Sequence, residues 1–393
     1  MVIFILEITS KPNVIPAMLK LDERRYCELS WKNPRPEISK GLPQQDLGNM
    51  EGASDSETED GLFWDMLIDL AKLLREEDNP LIGDYSPYYQ YLAGWSQSGA
   101  YMIRFVNDFA YAEESDSPYF DGYFSAGSAS SCMPDLNQNY GRTALTQSRK
   151  LKKMTEPFIE MHTESENALW ANSEARGENS FMDDMKYCIY DVAGATHDSK
   201  STMIDYYLDD RDVVLCGIIP NYPGKEVHPN GFPYEVAFQA ALQHLYDWVR
   251  DGKQPFTTEK IEVKDGVNVT DGTGNAVGGY RLPFVEVPLC IYHPVSTPMK
   301  PDFAFACTLF GYEENYTREK AVALYGSYTG YMKKFQESLN QCIEKGLILE
   351  ADRGMCMEYA QRKAREIFLT EATGDKGKIV WTVQAGKELI WRI

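Results

Sequence analysis

The sequence lacks any apolar run approaching the ~20 residues that a membrane-spanning helix needs, so no segment reads as a span. Its apolar opening, MVIFILEI, is short and has neither a basic n-region nor a small-residue cleavage site. That excludes a secretory signal as its reading and leaves Val2–Ile8 as a buried strand, with a cytoplasmic location expected by default. Basic residues are also scarce: 39 stand against 59 acidic ones, a formal charge of -20. A field of that sign repels phosphate backbones and anionic membrane surfaces and argues against nucleic acid as a partner. The eight cysteines (Cys27, Cys132, Cys188, Cys216, Cys290, Cys307, Cys342 and Cys356) form no C-x-x-C pair and no Cys/His cluster of zinc spacing. No metal is therefore expected, and no organic cofactor is implied. Their even number permits disulfides, although Cys188 and Cys216 lie in strand-like runs where free buried thiols are equally at home. No internal repeat is present.

What remains is ordinary for a globular chain. Hydrophobic residues make up 43% and charged ones 25% of 393 residues, enough for one large domain with a sizeable core. Asn13–Leu21 reads as a short helix and 32–60, rich in Pro, Gly, Ser and acids, as a solvated loop. Leu62, Met66, Leu67, Leu70, Leu73 and Leu74 recur at helical spacing, predicting a helix over Gly61–Glu77. Tyr88–Ala93 suits a buried strand and Ser98–Tyr111 a helix; Tyr119–Ser125, Pro157–Met161 and Tyr187–Val192 read as further strands. This alternation predicts an α/β fold with a mostly parallel sheet flanked by helices. Phe232–Asp251 reads as an amphipathic helix ending in Asp-Gly, 263–280 as turn-rich, Thr317–Leu369 as largely helical and Lys378–Thr382 as a closing strand. Within the turn-rich stretch Gly272-Thr-Gly274 resembles part of a dinucleotide fingerprint, but no strand precedes it and no helix follows, so turn chemistry is the better reading. Asn268-Val-Thr270 and Asn315-Tyr-Thr317 match the glycosylation triplet, which matters only in an exported chain. The whole chain, 1–393, is read as a single domain: 1–230 as a sheet core and 231–393 as a helical and turn-rich part packed on it.

The chemistry concentrates at Gly94-Trp-Ser96-Gln97-Ser98-Gly99, between a predicted strand and a predicted helix. A hydrolytic serine sits on such a sharp turn, where crowded backbone demands small residues two positions before and after it. Gly94 and Ser98 fill those positions. The Gln97 N–H, next in the chain, is placed to donate to an oxyanion at the positive end of the helix. Read blandly, Ser96 is only a helix cap. The elbow predicts an acid and a histidine downstream, in that order. His162-Thr-Glu164-Ser-Glu166 follows one strand; Glu166 is preferred as the acid, with Glu164 as the alternative. Asp191-Val-Ala-Gly194-Ala-Thr-His197 follows the next, and of five histidines only His197 combines the right order with a glycine-containing loop at a strand end. His162 reads as an ordinary polar residue, while His228, His244 and His293 fall beyond the sheet.

These residues resemble a known family. Gly94-Trp-Ser-Gln-Ser-Gly99 is similar to the G-x-S-Q-S-G elbow of the α/β-hydrolase domain proteins. Ile8-Thr-Ser-Lys-Pro12, Gly61-Leu-Phe-Trp-Asp65, Tyr119-Phe-Asp-Gly122, Thr163-Glu-Ser-Glu166, Val192-Ala-Gly-Ala-Thr-His197, Trp248-Val-Arg-Asp-Gly252 and Gly278-Gly-Tyr-Arg-Leu-Pro283 match it in order. The resemblance implies an α/β-hydrolase fold and carries a Ser96–Glu166–His197 triad for ester or related acyl hydrolysis of a small molecule. An amide or lactone would use the same mechanism. It also implies three strands ahead of the one resembled by Val2–Ile8, which this sequence is not expected to supply. The first strand is then expected to pair against the elbow strand or to leave an exposed edge, which favours association of copies. The loop donating the second oxyanion N–H would be missing too. A rival reading follows: a hydrolase-like binding or interaction protein that keeps the triad without a competent oxyanion hole.

Overall fold

The structure, a computed structural model, describes residues 4–8, 25–29, 62–77, 79, 82, 87–112, 118–128, 151–170, 177–201, 222–369, 380–382 and 388–390. The predicted helix at Asn13–Leu21 and the loop at 32–60 lie outside them. Along the chain come β1 (Phe4–Ile8), β2 (Arg25–Leu29), α1 (Leu62–Leu73), β3 (Tyr91–Trp95), α2 (Gln97–Asp108), β4 (Gly122–Ala126), β5 (Met154–Thr163), α3 (Glu164–Trp170), β6 (Ser180–Met182) and β7 (Met185–Val192). Next are α4 (Glu235–Asp251), the short pair β8 (Val263–Lys264) and β9 (Val267–Asn268), α5 (Pro283–Glu286), β10 (Cys290–His293), α6 (Ala304–Leu309) and β11 (Tyr312–Asn315). Three helices, α7 (Arg318–Tyr325), α8 (Tyr328–Glu344) and α9 (Arg353–Phe368), carry the predicted helical tail, and β12 (Val380–Thr382) pairs with β13 (Glu388–Ile390).

The central sheet has the order β3-β4-β5-β7-β6, parallel except for β6, which returns as an antiparallel edge strand beside β7. Side chains alternate between its faces, as the two-residue period of a strand requires. Trp95, Phe124, Ala126, Ile159, Met161, Cys188, Tyr190 and Val192 join one apolar core, which also takes in α4 and the helical tail through Phe238, Leu245, Phe335 and Leu339. Tyr123, Phe158, Tyr187 and Ile189 join a second, built with Trp64 and Leu67 of α1 and Met102 and Phe105 of α2. Both faces are thus covered by helices, the arrangement a parallel sheet needs.

Several predicted elements shift. The elbow strand begins at Tyr91 rather than Tyr88, whose side chain is 93% exposed, and it runs on to Trp95. Its aromatic run suggested a longer strand, but ladder pairing with β4 starts only at Tyr91 opposite Gly122. Only the last two of its residues are buried, and among the described residues β4 is its one strand neighbour, so the expectation of a fully buried strand is corrected. β1 does not pair with the elbow strand. It pairs in parallel with β2, Phe4 opposite Arg25 through Ile8 opposite Leu29, a nearby partner of matching length that takes up its backbone hydrogen bonds. Among the described residues the predicted closing strand near Thr382 pairs with β13 alone. The turn-rich stretch behaves as its composition implied: Asp265 (φ 53°) and Gly266 (φ 76°) turn the β8–β9 hairpin. Asp271 Oδ1 accepts from the Thr273 N–H and hydroxyl and from the Asn275 N–H, tying the Gly272-Thr-Gly274 turn. Cys188, Cys290, Cys307, Cys342 and Cys356 are free and buried.

Because β3, β4, β5 and β7 run the same way, their C-terminal ends meet along one edge, the side of a parallel sheet where ligands bind. Ser96, Gly127, Glu164 and Ala193 are the residues that leave those ends.

Candidate active site

Ser96 lies between β3 and α2 with φ 55° and ψ −121°. A non-glycine residue held at positive φ in this region stores roughly 1–3 kcal/mol and persists only where its surroundings impose it. Here they do. The Ser96 N–H donates to the Ala126 carbonyl at 2.8 Å, and the Ser96 carbonyl accepts from Ala100 at 3.0 Å. The Ser98 hydroxyl donates to the Trp95 carbonyl at 2.8 Å and accepts from the Trp95 N–H at 3.0 Å, closing the turn on itself. A Cβ on Gly94 would stand 2.6 Å from backbone atoms of Ser98 and Gly99, and one on Gly99 would stand 2.9 Å from Ser125 Oγ and 3.1 Å from the Gly94 carbonyl. At Gly94 the strand and helix backbones cross so closely that only glycine fits, and at Gly99 a Cβ would crowd the Ser125 and Ser128 hydroxyls and the Gly94 carbonyl. Serine at position 98, the other small site of the motif, is used for its hydroxyl. The Ser96 side chain makes no capping hydrogen bond to α2, so capping does not account for it. Gln97 is the first helical residue, and its N–H belongs to the opening turn, whose donors have no partner within the helix.

The candidate acid and base follow β5 and β7. Thr163 ends β5, and Glu166 sits in the first turn of α3 rather than in a loop. Its Oε2 accepts from the Thr163 N–H and the Thr163 hydroxyl, both at 2.6 Å, the reaching-back limb of a T-x-x-E capping box. Its Oε1 lies 2.5 Å from His197 Nδ1, and both side chains are buried. Burial alone would raise the Glu166 pKa. The charge and hydrogen bond of His197, helped by the Thr163 bonds, outweigh it and hold the carboxyl below its ordinary value. A carboxylate facing Nδ1 fixes the N–H there and leaves Nε2 as the acceptor. Among the described residues His197 Nε2 is buried and without a hydrogen bond, so none links it to the Ser96 hydroxyl. The His197 ring packs 5.3 Å from the Trp95 ring, beside the elbow. It also lies against Gly127 (φ 63°), where a Cβ would meet the imidazole at 3.1 Å.

Glu164, the alternative acid, does not reach His197. Its Oε2 accepts from the Gly194 N–H at 2.7 Å, and its Oε1 accepts more weakly from Asn268 Nδ2 at 3.3 Å. The Asn268 amide oxygen accepts from Asn167, so this amide is committed within the fold at one of the two glycosylation triplets. Burial pushes the Glu164 carboxyl from its ordinary 4.5 up to about 7. The folded chain therefore holds a proton that the unfolded chain has released between those values. The stability this contributes is full below pH 4.5 and is lost as pH rises through about 7, a swing of roughly 3 kcal/mol. Glu164→Gln, neutral throughout and still able to accept from Gly194, is expected to abolish that loss. Thermal melts of both proteins should show the variant gaining a few degrees on the parent between pH 5 and pH 8. Melting curves that stay parallel over this range would show that Glu164 does not titrate there.

Two positioning residues escaped the sequence reading. The Ser165 hydroxyl accepts from the His197 N–H at 3.2 Å and donates to the Pro294 carbonyl at 2.6 Å. Asn230 Nδ2 donates to the carbonyl of Gly194 (φ 85°) at 3.0 Å. The consecutive side chains Glu164, Ser165 and Glu166 thus each hold a different point of the turn that carries His197. His162, read as an ordinary polar residue, is instead buried with its Nε2 2.6 Å from Glu160 Oε1. Among the described residues no group of three His, Cys, Asp or Glu side chains could hold a metal ion.

A family model described as an alpha/beta hydrolase domain matches residues 4–358 of the chain. No curated protein and no solved structure matches it.

Proposed function

Because the chain belongs to the alpha/beta hydrolase domain family, whose model spans residues 4–358, we propose that it is a serine hydrolase acting on a small carboxylic ester. Ser96 is the nucleophile, His197 the base and Glu166 the acid that orients and stabilises it. The observation that carries this reading is the backbone of Ser96, strained at φ 55° on a strand-to-helix turn, with a side chain that no capping bond employs. The buried Glu166–His197 pair supports it independently, since among the described residues Nε2 is the ring atom left without a hydrogen bond.

In the proposed reaction His197 Nε2 takes the Ser96 proton as Oγ attacks the acyl carbon. The carbonyl π electrons move onto oxygen, which faces the Gln97 N–H at the N-terminus of α2. As the tetrahedral intermediate collapses, the bond to the alkoxide breaks and the imidazolium protonates the departing alcohol. Water then attacks the acyl-enzyme with the same base and releases the acid. Glu166 stays ionised throughout, which its depressed pKa favours.

Mixing the folded protein with a p-nitrophenyl ester is expected to release a burst of about one nitrophenol per chain, followed by slower turnover, as acylation outruns deacylation. Release at the rate of the buffer blank, from protein that melts cooperatively, would contradict the hydrolase and favour the binding-protein reading.

A further inference from the structure

On the sheet face toward α1 and α2, β5 and β7 change character as they approach the site. Phe158 gives way to Glu160 and then His162 along β5, and Tyr187 and Ile189 give way to Asp191 along β7. Glu160, His162 and Asp191 are all at most 1% exposed. Glu160 spans His162 Nε2 at 2.6 Å and the Tyr187 hydroxyl, which donates at 2.7 Å. His162 Nδ1 lies 3.6 Å from Asp191 Oδ1. Asp191 Oδ2 accepts from the Ile261 N–H at 3.1 Å, and its main-chain carbonyl accepts from the Tyr280 N–H at 2.6 Å.

Two buried carboxylates around one imidazole are expensive to desolvate, and an apolar filling of equal volume is often at least as stable. What the polar cluster adds is direction. His162 and Asp191 are cross-strand partners, each one residue before its strand ends. Beyond His162 the chain leads within four residues to Glu166, and beyond Asp191 within six to His197. One hydrogen bond of the cluster crosses from β5 to β7, from the Tyr187 hydroxyl to Glu160, and nearer the site His162 faces Asp191 across the ladder at 3.6 Å, so the cluster packs the two strands together where the acid and base segments part. We infer that Glu160, His162 and Asp191 form a positioning strut, with His162 at its centre, that sets the register in which Glu166 meets His197. The inference rests on the proposed roles of Ser96, Glu166 and His197.

The test is a double-mutant cycle between His162→Gln and Glu166→Gln. It is read as the rate of Ser96 phosphonylation by a fluorophosphonate and as kcat and KM on a p-nitrophenyl ester. If the strut acts through the acid–base pair, His162→Gln lowers the phosphonylation rate and kcat roughly 10- to 100-fold with KM unchanged, the penalty of a misplaced catalytic group. In the Glu166→Gln background the same change costs less than about 2-fold, because the contact it serves is already broken. Equal losses in both backgrounds, or a His162→Gln variant as fast as the parent, overturn the inference. Should His162→Gln fail to fold, Tyr187→Phe removes one hydrogen bond to Glu160. It is expected to lose a few-fold in rate alone and nothing more beside Glu166→Gln. A wild type that does not react at all overturns the Ser96 reading and the strut together; a reactive wild type with an indifferent His162 overturns the strut alone.

Discussion

Replacing Ser96 by alanine is expected to cut ester hydrolysis by roughly 10⁴–10⁶ in kcat while leaving the melting temperature within about a degree of the parent. The two halves of this expectation come from different observations. Loss of activity follows from removing the only atom that the proposed reaction makes covalent. Retention of stability follows from the fold's indifference to that atom: the Ser96 hydroxyl makes no capping bond, and the hydrogen bonds that hold the turn are main-chain or belong to Ser98. Alanine keeps the Cβ, so the strain at φ 55° is neither relieved nor increased. Parallel kinetics and thermal melts check it. A large fall in melting temperature would mean that the side chain is structural after all.

Glu166→Gln is expected to lower kcat by roughly 10²–10⁴. Glutamine has nearly the same shape, so the turn into α3 can persist with its amide oxygen accepting from Thr163. Its amide nitrogen then faces His197 Nδ1 and favours the tautomer with the proton on Nε2, the atom that must accept from Ser96. The parent should also depend on pH in a way the variant does not. An acid held below its ordinary value contributes stability that is present above the unfolded value and is lost as pH falls through the folded one. Melts on the acid side should therefore show the parent losing an advantage that Glu166→Gln never had. Glu164→Gln, by contrast, should leave kcat within a few-fold, because Glu164 holds the Gly194 N–H and not the ring. If the Glu164 and Glu166 variants lost equal activity, the assignment of the acid would be wrong.

The elbow was legible because its constraints are local. Gly94 is forced by backbone crossing within six residues, and a five-residue strand and a twelve-residue helix meet at the turn. Distance past the strand end favours Glu166 over Glu164. A stronger signal is the capping-box spacing Thr163-x-x-Glu166, which commits the second glutamate to reach back over its own turn. Ser165 and Asn230 had no comparable signal, since they act on main-chain groups far away in sequence, Ser165 on a carbonyl 129 residues downstream. Nor could sequence place His162. A histidine amid alternating apolar residues has the same pattern whether it caps a strand or joins a buried polar cluster. The cluster exists only because β5 and β7 set His162 opposite Asp191. Strand ends failed where aromatic residues outran the ladder, as at Tyr88–Gln90. The three-residue β6 was too short to carry a period at all.

The account turns on whether Ser96 is an activated nucleophile. The direct measurement is treatment of the folded protein with a fluorophosphonate, followed by peptide mass spectrometry, with Ser96→Ala alongside. A single phosphonylated site is expected, on the peptide that contains Ser96, with no label in the variant. Label on a different serine, or none on protein that melts cooperatively, would contradict it.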